Sequence, residues 1–204
     1  MIKAVILDVD DTLCLTEAAC FELENATLAA MGRDPMPREL HLKTWGKPLF
    51  DIMPIRSPGI DVREFRAAYE PLIKSAISEG RLDVIPPENL RAIDQLVALG
   101  KSVMLLTSRE HGEFEHMLDA AHPLNGRIDA FYYKDNMEYH KPDPRAFAQI
   151  EANHGWLPEE CVYVGDSVSD ADAALGAGLS FVCSLESGLR TREDFARHQV
   201  DAYI

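Results

Sequence analysis

Two carboxylates stand two residues apart at the end of the chain's first apolar segment, in Asp8-Val9-Asp10-Asp11-Thr12. Past a strand, the two-residue period lets both point toward one site. A carboxylate so placed can attack phosphorus, and a second can protonate the leaving oxygen and later activate water. An Asp-rich turn with capping roles is the alternative. Three more groups follow in order. Thr107-Ser108-Arg109 comes directly after an apolar run, where its hydroxyls and backbone N–H groups suit a phosphate oxygen or, equally, cap a helix running from Glu110. His140-Lys141-Pro142-Asp143-Pro144 fixes a lysine between turn-forming residues. Its ammonium can neutralise a nucleophile and a transferring phosphoryl group together, or simply stay hydrated in a loop. His140 reads as a loop residue with no assigned role. Gly165-Asp166-Ser167-Val168-Ser169-Asp170 supplies acids four residues apart. Hard oxygen ligands of that kind suit Mg²⁺, with Asp166 on the ion and Asp170 supporting it or orienting Lys141. Capping aided by the helix dipole is the plainer reading of that segment.

The elements that must position these groups are legible as alternating patterns. Ile2 to Val9 is a buried-strand pattern, and Val103 to Thr107, Ala130 to Tyr133, Cys161 to Val164 and Ser180 to Cys183 repeat it. Between them, Leu90, Ile93, Leu96 and Val97 recur at helical spacing up to Gly100, and Pro144 to Asn153 and Ser169 to Gly176 behave likewise. Strand, helix, strand at this rhythm predicts parallel βαβ units, whose ligand crevice lies at the carboxyl ends of the strands, where all four groups fall. Residues 15–85 break the rhythm, with helical stretches at Glu17 to Met31, Pro37 to Lys43 and Val62 to Glu79 and no convincing strand. The expectation is an α/β core, 1–14 plus 86–204, carrying an inserted α-helical cap at 15–85, with Pro86 and Pro87 restricting the way out.

Composition narrows the partners. Among 204 residues, 34 Asp+Glu against 20 Lys+Arg leave a net charge of −14, and 47% of residues are hydrophobic. Wholesale disorder is excluded, and so acidic a chain without a basic patch is not expected to bind nucleic acid or an anionic membrane surface. The early apolar run Ala4 to Leu7 is too short for a signal-peptide core or a membrane span of about 20 residues. Cys14, Cys20, Cys161 and Cys183 form no CxxC pair. They read as reduced, mostly buried thiols of a cytoplasmic protein.

Taken together, DVDDT at Asp8 to Thr12, Thr107 after its strand, Lys141 in HKPDP and GDSVSD at Gly165 to Asp170 closely resemble the motifs of the haloacid dehalogenase-like (HAD) superfamily. The resemblance implies a Rossmann-like parallel-sheet core with Mg²⁺, and the insert looks like the helical cap of the phosphoglycolate phosphatase and β-phosphoglucomutase branch. It implies that Asp8 forms an aspartyl-phosphate and that Asp10 is the general acid/base and lends its carbonyl to the metal. Thr107 and Lys141 then hold the phosphoryl group, and Asp8 and Asp166 complete the protein's share of the metal shell, with Asp170 assisting. Thr12, Ser108 and Arg109 join the candidate substrate contacts. Gly46 and Lys47, in a stretch Thr44-Trp45-Gly46-Lys47-Pro48 similar to the family's substrate loop, are the cap's candidates. Arg56 is a second cationic candidate for an anionic leaving group, and Trp45 reads as cap core or substrate platform. Asp11 departs from the glycine common at its position, so the turn must accept a side chain, which Asp tolerates in left-handed geometry better than most residues.

The expected activity is Mg²⁺-dependent hydrolysis of a small phosphorylated metabolite by a monomer or homodimer. A phosphosugar mutase of the same fold is the nearest alternative, and a non-catalytic ligand-binding relative the more distant one.

Overall fold

The computed structural model describes all residues, 1–204. They form two compact units, Leu15–Val84 and Met1–Cys14 with Ile85–Ile204.

Leu15–Val84 is helical throughout, with α1 (Glu17–Ala30), α2 (Arg38–Thr44), α3 (Leu49–Arg56) and α4 (Val62–Ser78). Its core joins Leu23 and Leu28 of α1 to Phe50 and Met53 of α3 and to Phe65, Tyr69 and Ile73 of α4. Asp61 caps α4 by accepting from the N–H groups of Arg63 and Glu64. α3 is not readable from the sequence, because Pro54 sits inside a helix of only eight residues, where it removes a ladder donor.

The other unit is built on a six-stranded, all-parallel sheet: β1 (Ala4–Leu7), β2 (Ser102–Leu106), β3 (Ala130–Tyr132), β4 (Cys161–Gly165), β5 (Ser180–Cys183) and β6 (Ala202–Tyr203), in the order β3-β2-β1-β4-β5-β6. Every run read as a strand lies in this sheet; β6, two residues long, carries no sequence signal. α5 (Pro87–Ala98), α6 (His111–Phe114), α7 (Ala148–His154) and α8 (Val168–Ala177) complete the unit. The expected helix from Glu110 is a single turn, as Gly112 within it disfavours extension.

The strand period divides the core. Ile6, Met104, Leu106, Tyr163 and Phe181 pack with Phe147, Ile150 and Ala174 on one face. Val103 and Leu105 pack with Ile93 and Phe114 on the other. β1 is central, with Leu7 opposite Leu105 of β2 and Val164 of β4. That register is what matters for chemistry, because the residues just beyond β1, β2 and β4 emerge side by side at one edge of the sheet.

Candidate active site

Asp8 follows β1 directly and donates its backbone N–H to Val164 (2.9 Å), so the chain leaves the strand already tied to β4. Three residues on, Asp11 adopts φ +54°, the left-handed geometry expected of a residue standing in a glycine's place. Its N–H donates to Cys14 (2.7 Å), closing the turn that presents Asp8 and Asp10. At the end of β4, Gly165 has no alternative: a Cβ there would lie 2.6 Å from the Asp170 carboxyl carbon. A second glycine does related work, since a Cβ on Gly176 of α8 would meet Pro144 at 2.5 Å. The loop carrying Lys141 and the helix carrying Asp170 are therefore packed to contact.

Lys141 joins the motifs. Its ammonium lies 3.0 Å from Asp8 Oδ1 and 2.7 Å from Asp170 Oδ1, and it donates to the Tyr163 hydroxyl (2.8 Å). Asp170 is fully buried; its Oδ2 accepts from the Ser167 N–H (2.9 Å) and hydroxyl (2.6 Å). With all its oxygens engaged by donors, Asp170 is suited to orienting Lys141. Oxygen atoms of Asp8, Asp166 and Asp170 lie within 4.8 Å of one another.

This is an unbalanced cluster. Burial raises the Asp8 carboxyl to about 7 even though Lys141 pulls it down, with Asp170 and Asp10 adding to the rise. Burial and the charges of Asp170, Asp8 and Asp11 raise Asp166 further, to about 9. Burial alone would lower the Lys141 ammonium, but Asp170 and Asp8 more than offset it, and its net shift is upward. Both directions have one origin: a single buried cation is shared among several buried acids, enough to hold the lysine charged and too little to relieve every carboxylate. The donor set of hard oxygens, short of positive charge, fits a divalent cation such as Mg²⁺.

The other expected contacts divide. Thr107 is buried at the end of β2; its N–H donates to Tyr132 (2.9 Å) and its Oγ1 accepts from the Arg109 N–H (3.3 Å). Two of the N–H groups proposed for phosphate are thus taken, which leaves the Thr107 hydroxyl proton and Ser108, half-buried beside it, as the donors. Arg109 reaches Asp10: its Nε and Nη2 meet the two Asp10 oxygens at 3.0 and 2.7 Å. Thr12 lines a different, mainly apolar hollow of about 610 Å³ with Val5, Leu7, Ile93 and Leu185, and its buried hydroxyl has no hydrogen-bond partner.

In the helical unit, Gly46 (φ +83°) and Lys47 are exposed on the turn between α2 and α3, while Trp45 packs beside the His41 ring. Arg56 is buried, with Nη1 on both Glu24 oxygens (2.7 and 2.6 Å) and Nε on Thr44 (2.9 Å). It is held inside its own unit and is not a surface cation. Tyr163 and Ser167, both braces of Asp170, escape a reading by motif, since a strand tyrosine and a helix-capping serine look structural; an acid on the buried side of α8 is the signal that such donors must exist.

Comparison with known proteins agrees with this geometry. A family model described as haloacid dehalogenase-like hydrolase matches residues 5–184. The chain belongs to that family. It is 29% identical to a phosphoglycolate phosphatase of Xylella fastidiosa over 94% of this chain and 83% of the relative. To protein CbbY of Cereibacter sphaeroides it is 28% identical, over 96% and 89%. The crystal structure of CbbY from Rhodobacter sphaeroides in complex with phosphate superposes with a TM-score of 0.83 at 24% identity, covering 100% of this chain and 94% of that one. The haloacid dehalogenase-like chain described here is an enzyme of the family's phosphatase branch.

Proposed function

We propose that this phosphatase hydrolyses a small phosphorylated metabolite with Mg²⁺, by way of an aspartyl-phosphate on Asp8. The observation that carries the reading is the convergence of Asp8, Asp166 and Asp170 within 4.8 Å of one another at the carboxyl edge of the sheet, with Lys141 on Asp8 and Asp170. Relatives named phosphoglycolate phosphatase and 6-phosphogluconate phosphatase support a small anionic substrate.

A carboxylate and a phosphate dianion repel by about 1 kcal/mol per unit-charge pair at 4 Å in water and by several times more in a drier site. Lys141 offsets part of this; Mg²⁺ held by Asp8, Asp166 and the Asp10 carbonyl would supply the rest of the positive charge. An Asp8 oxygen attacks phosphorus, the bond from phosphorus to the leaving oxygen breaks, and Asp10 gives that oxygen a proton. Asp10 then takes a proton from water, whose oxygen attacks phosphorus and breaks its bond to Asp8, releasing phosphate and the free carboxylate. Lys141 and the Thr107 hydroxyl hold the phosphoryl oxygens throughout.

The helical unit takes the part of a substrate-selecting cap, with Gly46 and Lys47 in its selecting loop. A cytoplasmic setting suits four buried cysteines that form no disulfide. No helix is long and apolar enough to cross a membrane.

The test is a panel of phosphorylated metabolites assayed with and without Mg²⁺, with Asp8→Asn as the blank. Phosphate release that needs both the metal and Asp8 is the expected result. A hexose 1-phosphate converted to a lasting isomer without free phosphate would replace hydrolysis by a mutase reaction, and silence across the panel would remove the activity.

A further inference from the structure

Asp10 is the more exposed of the two motif acids, its side chain retaining 23% of its accessibility. Arg109 holds its carboxylate. Its guanidinium meets both Asp10 oxygens, at 3.0 Å through Nε and 2.7 Å through Nη2, and its Nη1 donates to the Glu113 carbonyl (3.3 Å). The backbone beneath is fixed as well: the Arg109 N–H donates to Thr107 Oγ1, and its carbonyl accepts from the Lys134 N–H (2.9 Å). With only 8% of the residue exposed, this is a braced donor and not a mobile surface arginine.

We propose that Arg109 is a positioning residue, a strut that fixes the Asp10 carboxylate relative to Thr107. Its backbone is bonded to the hydroxyl assigned to the phosphoryl group, and its side chain grips the acid/base. One residue thereby sets the offset between the group that holds phosphorus and the group that serves the leaving oxygen and the water. The planar fork is what makes this possible, because two parallel N–H bonds fix both position and plane, whereas an ammonium fixes only a distance. The inference rests on the reading of Asp10 as acid/base, and it replaces the expectation that Arg109 contacts substrate.

The experiment uses p-nitrophenyl phosphate with Mg²⁺, a substrate whose leaving group needs little protonation, so that turnover reports mainly the step in which Asp10 takes a proton from water. Arg109→Lys and Arg109→Ala are expected to lose roughly tenfold to a hundredfold in kcat, within the range of acid/base contributions, with KM nearly unchanged. Added guanidinium at millimolar concentration should restore part of the Arg109→Ala rate. In an Asp10→Asn background the Arg109 substitutions should add no further loss.

A raised KM at constant kcat would return Arg109 to substrate binding. An equal kcat loss with and without Asp10, or no rescue by guanidinium in a variant whose melting is unchanged, would reduce it to a structural residue. If Asp10→Asn itself kept full turnover while Asp8→Asn was dead, phosphatase chemistry would stand but the acid/base reading and this proposal would fall together.

Discussion

Each unit buries a cluster of charged side chains, and the two clusters are opposites. In the sheet unit, Asp8 and Asp170 share the single ammonium of Lys141, and Asp166 lies within 4.8 Å of both acids. In the helical unit, Glu24 is gripped by Arg56, and Glu17 meets Arg38 and His41, whose second ring nitrogen lies 3.3 Å from Glu24. Both His41 nitrogens face carboxylate oxygens. The helical cluster matches its two glutamates with two arginines, leaving only Arg56 Nη2 without a partner; the sheet cluster holds more acids than cations. Buried charge that is matched in number is architecture, whereas a buried deficit marks the place where something else must bind. The outer Asp10–Arg109 pair follows the first pattern beside the second, which is why Arg109 fits a bracing role.

The largest effect should follow removal of the Asp8 charge. Asp8→Asn keeps the shape of the side chain and Lys141's remaining partners, but leaves no anionic oxygen to attack phosphorus. Turnover of any substrate the enzyme accepts should fall by on the order of 10³-fold or more. Rapid quenching with labelled substrate should trap label on the wild type and not on this variant. A variant that retained turnover would locate the nucleophile elsewhere.

The contrast between the clusters sharpens when each loses one acid. Glu24→Gln strands Arg56, whose Nη2 is already buried without a partner, in an interior with no compensating anion. Breaking a buried pair this way costs about 3 kcal/mol, read as a lower denaturant midpoint. Asp166→Asn relieves a deficit, so in the presence of a chelator it should raise the midpoint, by about 1 kcal/mol. With Mg²⁺ the order reverses, because the wild type gains stability from the bound ion and the variant gains little. If both substitutions destabilised the chelated protein alike, the distinction between balanced and unbalanced clusters would be lost.

How much of this was open to a reader of the sequence follows from the same contrast. The sheet unit's acids fall in short motifs at the ends of apolar runs, and parallel pairing brings ends of neighbouring strands together, so Asp8, Thr107, Lys141 and Asp166 could be grouped without coordinates. The helical cluster is drawn from three helices, with Glu17 and Glu24 on α1, Arg38 and His41 on α2 and Arg56 on α3, and no local spacing relates one helix's charges to another's. One signal was there: Glu17 and Glu24 share the helical stripe of Cys20, Leu23, Thr27 and Leu28, all buried, and an acid on an apolar stripe requires an internal partner. Arg109's contact was hidden for a similar reason, because an arginine beside a phosphate-binding threonine suggests a ligand, and no local spacing relates its fork to a carboxylate on the neighbouring strand's turn.

The remaining effect, read as a slope and not as a loss at one condition, is a pH dependence peculiar to the sheet unit. Asp8 at about 7 and Asp166 at about 9 both stand above 3.8, so between pH 4 and 9 the folded, metal-free protein binds more protons than the unfolded chain. Stability changes with pH in proportion to protons bound unfolded minus protons bound folded, which is negative here, so these acids contribute most below pH 4 and lose that contribution as pH rises. Glu113, raised by burial to about 7, acts in the same direction. Chelated protein should therefore weaken between pH 6 and 9, by on the order of 1 kcal/mol per pH unit. Mg²⁺ should flatten that slope, because the ion takes up the deprotonated carboxylates. Asp166→Asn should flatten part of it without metal, leaving the share of Asp8 and Glu113, whereas Glu24→Gln should leave the slope unchanged while lowering the whole curve. Denaturant midpoints measured across that window for the three proteins, with and without Mg²⁺, would separate these outcomes. A slope indifferent to both the ion and Asp166 would mean that the acids at the sheet edge are already compensated and that the deficit assigned to them does not exist.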